Sequence, residues 1–141
     1  MRFKFYYQIF PIFDNKGKKI EELGRPIIEV IANYKYGRMF GPLKAMADSG
    51  ADHNLFPAEV ADALGIKVHK GKVLITEGIG GRLVKTYRHS GIKMFLEGYS
   101  FETSVDFSDE IDLPLLGQQG FFDKFKSVNF SRSKEEVILE T

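Results

Sequence analysis

The sequence predicts an all-β fold with one or two short helices, and three observations point to it. Aromatic residues are abundant, with 13 Phe and 6 Tyr among 141 residues and no Trp, and such side chains suit a pleated, half-buried surface. The 14 glycines fall between short apolar or alternating runs, as turn residues do between strands. Only one segment has the spacing of an amphipathic helix. Many short strands separated by turns suggest a sandwich or a barrel.

Arg2 to Phe13, rich in Phe, Tyr and Ile, predicts a strand that ends at the polar cluster Asp14-Asn15-Lys16-Gly17-Lys18-Lys19. Pro26 to Tyr36 predicts a second strand, with β-branched Ile27, Ile28, Val30 and Ile31. A turn over Gly37 to Gly41 leads into Leu43 to Ala47, a short apolar run that stops at Asp48-Ser49-Gly50. Pro57 to Gly65 predicts the helix. Pro57 suits the first helical position, Val60, Ala61 and Leu64 share a face, and Gly65 suits the stop. Lys67 to Thr76 reads as a strand, Glu77 to Arg82 as a glycine-rich hairpin tip, and Leu83 to His89 and Gly91 to Leu96 as two further strands. Tyr99 to Phe107 alternates as a strand, and Ser108 to Pro114 forms an acidic loop. Leu115-Leu116-Gly117 is a short apolar run, Gly120 to Phe125 a helical turn, and Val137 to Glu140 a final strand. Residues 1–25 are the one candidate appendage, either an N-terminal extension or part of a domain running over 26–141.

Composition narrows the function classes. Hydrophobic residues make up 43% and charged residues 28%, with a formal net charge of +1. That balance gives no global pull toward nucleic acid or an anionic membrane. The absence of cysteine excludes disulfides, thiolate metal sites and cysteine nucleophiles. His53, His69 and His89 have no spacing that suggests zinc. The first ten residues lack the apolar run of a signal peptide, and no stretch approaches the roughly 20 apolar residues of a membrane span. A cytoplasmic protein with no cofactor is the expectation.

The segment with chemistry in it is Ala45-Met46-Ala47-Asp48-Ser49-Gly50-Ala51-Asp52. An apolar strand ending at a carboxylate holds that carboxylate at the edge of the core. Ser49 offers a hydroxyl to orient the loop, and Gly50 lets backbone approach closely. A carboxylate so held can act as a general base on water. Peptide hydrolysis by this route needs two carboxylates that share a proton, because like charges about 3 Å apart cannot both ionise. No other aspartate in the chain is followed by Ser or Thr and then Gly. The second carboxylate is therefore expected from Asp48 of another copy, placed by two-fold symmetry.

Four segments taken in order resemble the retropepsin-like aspartic peptidases, a family that includes the retroviral proteases and small cellular and prokaryotic relatives. They are the strand running into Asp48-Ser49-Gly50-Ala51, the helix after Leu55-Phe56, the hairpin Gly78-Ile79-Gly80-Gly81, and Leu115-Leu116-Gly117 followed by Phe121-Phe122 and a terminal strand. The resemblance spans roughly Pro26 to Glu140. It implies the acid-protease half of a two-fold homodimer, a closed barrel half with Asp48 as the catalytic aspartate. Ser49, Gly50, Ala51 and Asp52 would form the active-site loop. Gly78, Ile79, Gly80 and Gly81 would form a flap over an extended polypeptide, and Leu115, Leu116 and Gly117 would support the loop from behind. Retroviral members usually place Arg after the apolar-apolar-Gly motif, where it pairs with the residue corresponding to Asp52. Gln118 stands there, and a neutral amide cannot form that ion pair. Retroviral chains also interleave their termini to form the dimer, a role the resemblance does not assign to residues 1–25. The alternatives are an inactive dimerisation or peptide-binding module on the same fold, and a monomeric barrel binder with a chance motif.

Four other features have plainer readings. His53 beside Asp52 reads as polar surface rather than half of a metal pair. Gly78-Ile79-Gly80-Gly81 lacks the Lys-[Ser/Thr] of a phosphate-binding loop. Asp106, Asp109, Glu110 and Asp112 read as a solvated acidic patch, their spacing missing that of a calcium loop. Phe121-Phe122 reads as core.

Overall fold

The computed structural model describes the backbone of residues 1–141 and every side chain except that of Ile79. In chain order the strands are β1 (Arg2–Tyr6), β2 (Gln8–Phe13), β3 (Lys19–Arg25), β4 (Ile27–Tyr34), β5 (Phe40–Ala47) and β6 (Leu55–Pro57). The helix α1 (Ala58–Leu64) follows. Then come β7 (Lys72–Glu77), β8 (Leu83–Leu96), β9 (Tyr99–Ser108), β10 (Leu115–Leu116), β11 (Ser127–Ser131) and β12 (Glu136–Glu140).

The central sheet closes on itself. Its order is β4-β5-β10-β6-β9-β8, and β8 pairs back onto β4, so these strands form a barrel with β7 attached outside to β8. Closure removes the open edges that an isolated sheet would present. The β-branched run of β4 makes it a wall of this barrel, with Ile28, Val30 and Ala32 fully buried. Facing them are Ala45, Phe56, Ile92, Met94, Val105, Phe107 and Leu116, all buried. The Phe56 and Phe107 rings meet edge to face with centroids 6.3 Å apart. Each such ring contributes about 2–3 kcal/mol by leaving water. Helix α1 covers the barrel with Ala58, Val60, Ala61 and Leu64, and stops at Gly65 in the left-handed region (φ 80°). Pro57 is the last residue of β6 and the cap of the helix, not its first turn.

A second sheet, ordered β1-β12-β11, brings the two ends of the chain together. Arg2 pairs with Glu140, and the pairing runs to Tyr6 with Glu136. Phe3, Val137 and Leu139 are buried beneath it. The expected core role of Phe121-Phe122 is met here: Phe121 packs on Phe101 and Phe125 at centroid distances of 5.9 and 5.1 Å. No helix among the described residues is long and apolar enough to cross a membrane.

Several expected elements differ in detail. The strand over Arg2 to Phe13 breaks at Tyr7, whose N–H donates to the Glu135 carbonyl (2.8 Å). β1 then joins β12, while β2 turns away to pair with β3. The polar strand β3 and the short β6 lack an apolar alternation that would announce them, and β11 alternates only over the five residues Ser127–Ser131. The strand expected from Lys67 starts instead with a 3-10 turn over Val68–Lys70. The two strands expected over Leu83 to Leu96 are one, bent where its pairing with β9 shifts register between His89 and Ile92. Gly91 lies in that bend with φ 76°.

Candidate active site

Asp48 follows the last residue of β5, and two neighbours fix its backbone. Its N–H donates to the Leu116 carbonyl (2.9 Å), and the Ala47 N–H donates to the Pro26 carbonyl (2.8 Å). The side chain is half-buried, and Oδ1 accepts from the Gly50 N–H (2.9 Å). The Asp48 carbonyl accepts from the Ala51 N–H (3.1 Å), closing a tight turn. Ser49, Gly50 and Asp52 are exposed on this turn, and Ala51 is half-buried. Among the described residues the Ser49 hydroxyl has no hydrogen-bond partner in its own chain.

Leu115 and Leu116 lie directly beside this loop. β10 runs parallel to β5, placing Leu115 opposite Met46 and Leu116 opposite Ala47, and it meets β6 at Leu55 on its other side. The next residue must be glycine. A Cβ on Gly117 would stand 2.5 Å from the His53 carbonyl oxygen and 2.8 Å from that of Ala51. We expect Gly117→Ala to destabilise the fold by about 1–3 kcal/mol through overpacking, read as a lower denaturant midpoint with an unchanged slope. An unchanged midpoint would show that the backbone there yields freely.

Gln118, which cannot form the ion pair of the retroviral members, makes neutral bonds instead. Its Nε2 donates to the Ser49 carbonyl (2.8 Å) and its N–H to the Ala51 carbonyl (2.9 Å), while the Gln119 N–H donates to the Asp52 carbonyl (2.8 Å). The loop is thus tied to the segment after β10 without any charge on Asp52 being used. His53 takes part through its backbone, in a bridge with Gln119.

Two features of the site were not foreseen. Asn54 is fully buried; its Oδ1 accepts from the Gly117 N–H (3.1 Å) and its Nδ2 donates to the Ser104 carbonyl (3.2 Å). It joins the loop, β10 and β9 at one point. The available signal was a lone amide directly before the apolar run Leu55-Phe56. The second is Asp106, expected in a solvated acidic patch. It is 3% exposed and grips Arg88 through two bonds, Nε to Oδ1 (2.6 Å) and a terminal nitrogen to Oδ2 (2.9 Å). Hydrogen bonding to Asp106 holds the Arg88 guanidinium above its ordinary range, against the opposing effect of partial burial. Asp106 lies inside β9 between buried Val105 and Phe107, and a carboxylate there needs a fixed partner.

The rest of the patch stays at the surface. Asp109 faces His69 (3.3 Å), and Asp112 is exposed. Glu110 reaches the glycine hairpin, accepting from the Lys85 N–H (3.2 Å) and lying 3.5 Å from Arg82. That hairpin pairs Lys72–Glu77 with Leu83–Arg88 and turns through Ile79–Gly81, with Gly80 and Gly81 both at φ 76°. The Gly78 N–H donates to the Arg82 carbonyl (2.7 Å). The Ile79 side chain lies outside the described residues. Among the described residues no three His, Asp or Glu side chains converge to hold a metal.

Comparison with known proteins bears on this geometry. Residues 37–119, more than half of the chain, match the sequence model of the aspartyl protease family. Among solved structures, the chain is similar to a retropepsin-like aspartic protease from Rickettsia conorii, at 18% identity and TM-score 0.63, over 99% of this chain and 98% of that one. It is also similar to the EIAV protease, solved in complex with the inhibitor HBY-793, at 23% identity and TM-score 0.51, over 75% of this chain and 88% of that one. No curated protein matches. At these identities the likeness to solved structures is one of fold, and that fold is the retropepsin-like barrel.

Proposed function

Because the chain belongs to the aspartyl protease family, we propose that it is an endopeptidase acting as a homodimer, with the two Asp48 carboxylates activating one water. The observation that carries this is the hold on Asp48. A half-buried carboxylate at the rim of a closed barrel is fixed through its own Oδ1 and through its backbone, so its second oxygen keeps a defined direction. One such group per chain makes half of a proton-sharing pair.

In the proposed reaction the ionised Asp48 takes a proton from water, whose oxygen attacks the scissile carbonyl carbon. The protonated Asp48 of the other copy hydrogen-bonds the carbonyl oxygen and gives up its proton as the tetrahedral adduct forms. The adduct collapses with rupture of the C–N bond: the leaving nitrogen takes the proton gained from water, and one hydroxyl proton of the adduct returns to the other copy's Asp48, restoring the pair. No covalent intermediate or cofactor is needed. The substrate is an extended polypeptide, laid between the Asp48 loops and the hairpins over Gly78–Gly81, which act as flaps. Gly50 leaves room for its backbone, and Leu115, Leu116 and Gly117 keep the loop from sagging into the barrel.

A shared site makes activity depend on concentration. The rate per chain should rise with protein concentration and level off where sedimentation shows the dimer complete. A constant rate per chain under conditions where the protein is monomeric would overturn the two-chain site.

A further inference from the structure

The ribbon formed by β2 and β3 stands away from the barrel and carries apolar side chains into water. Alternation puts Ile9, Pro11 and Phe13 on one face, where Phe13 pairs with Lys19 and Ile20 follows in the bulge of β3, and Ile9, Phe13 and Ile20 are 55%, 56% and 60% exposed. A two-stranded hairpin is marginal in water by itself, so an apolar ribbon of this kind calls for a covering surface.

The root of the ribbon is firmly placed. On one side the Tyr7 N–H is bonded to Glu135, and Gly24 lies so close to the Glu135 carboxylate that a Cβ would overlap it. On the other side β3 leads into Pro26, whose carbonyl holds the Ala47 N–H next to Asp48. In the proposed homodimer the two Asp48 loops meet at the two-fold axis, so each ribbon starts beside that axis. At about 3.3 Å per residue, a six-residue strand extends roughly 20 Å. A ribbon of that length rooted beside the axis is long enough to reach across the partner, and its own barrel leaves these side chains exposed.

We propose that residues 8–25 form a clasp that closes over the second copy of this chain, with Ile9, Phe13 and Ile20 seated against the partner. This rests on the homodimer reading above. The area is sufficient. These three side chains expose roughly 350 Å² per copy, and two symmetric contacts, each matched by equal area on the partner, bury roughly 1,400 Å², within the range of stable interfaces. In the terminal sheet β12 is paired on both sides within its own chain, while β1 and β11 each keep one open edge.

The test is the dimer dissociation constant of a double variant, Ile9→Ser with Phe13→Ser, by sedimentation equilibrium. Cleavage of an unstructured polypeptide is measured in parallel, with Asp48→Asn as the blank. A dissociation constant raised tenfold or more, with the wild-type rate per dimer recovered at saturating concentration, supports the clasp. An unchanged constant overturns it, while Asp48-dependent cleavage by the wild type leaves the peptidase reading standing. A wild type that stays monomeric with no Asp48-dependent cleavage overturns both. Should the double variant fail to fold by circular dichroism, Phe13→Cys decides, because the chain has no other thiol. Its alkylation rate should fall at least tenfold as concentration passes through the dimer range, and a rate independent of concentration overturns the proposal.

Discussion

Asp48→Asn should yield a folded dimer whose peptide cleavage is lower by about a thousandfold or more. The substitution is nearly isosteric, and the amide oxygen can still accept from the Gly50 N–H that the carboxylate uses. What disappears is the pair's ability to hold one negative charge and one proton between two oxygens. Loss of a positioned general base alone costs about 10²–10⁴ in rate. Here the symmetric variant removes acid and base together, so the upper part of that range applies. The check is cleavage of an unstructured polypeptide at about pH 4–6, where a proton-sharing pair works, alongside sedimentation of both proteins. Equal cleavage by the two, or none by either, would sink the enzyme reading.

Asp106→Ala should produce the largest stability loss of any exchange of a single charged residue, about 3–5 kcal/mol, and this is a test of the fold rather than of the chemistry. The exchange removes a carboxylate that is 5% exposed at its side chain and leaves Arg88, 30% exposed, without its two bonds. Partial access of water to Arg88 places the loss toward the lower end. The Arg88 pKa is raised in the folded state, so its contribution is fully present below the unfolded value and is lost only as pH climbs through the folded one. That lies far into alkali, so Arg88 adds no pH dependence between acid and neutral conditions. The measurement is the denaturant midpoint at two pH values. The joint exchange Asp106→Leu with Arg88→Met should recover much of the loss. A loss below about 1 kcal/mol for Asp106→Ala would mean that the pair behaves as a surface contact.

Much of the barrel was legible because its strands follow the rules strands obey. The β-branched run of β4, the helix from Ala58 to Gly65 and the glycine turn between β7 and β8 each have a local cause written in adjacent residues. The Asp48 loop and Leu115-Leu116-Gly117 were legible as motifs, and the structure sets them side by side. What escaped was set by partners distant in the chain. Asp106 looks like its acidic neighbours until Arg88 is brought opposite it. Asn54 gains its role only when Gly117 and Ser104 arrive. The break at Tyr7 depends on Glu135, and β3 is polar enough to pass for surface loop because it buries little. Gln118 shows the reverse case. The absence of the ion pair was legible in the neutral amide, whereas the bonds that tie the loop in its stead are not announced by residue identity alone.

The pairing of β1 with β12 has a consequence for the order of assembly. Arg2 waits for Glu140 and Tyr6 for Glu136, so β1 completes its sheet only after β12 has emerged. Contacts so far apart in sequence carry the greatest chain-closure cost and form late. The barrel strands β4 to β9 lie between them and can collapse first, leaving Phe3 and its neighbours uncovered until the end. Until β12 arrives, the aromatic face of β1 is transiently exposed apolar surface, the kind that makes a folding chain prone to aggregate.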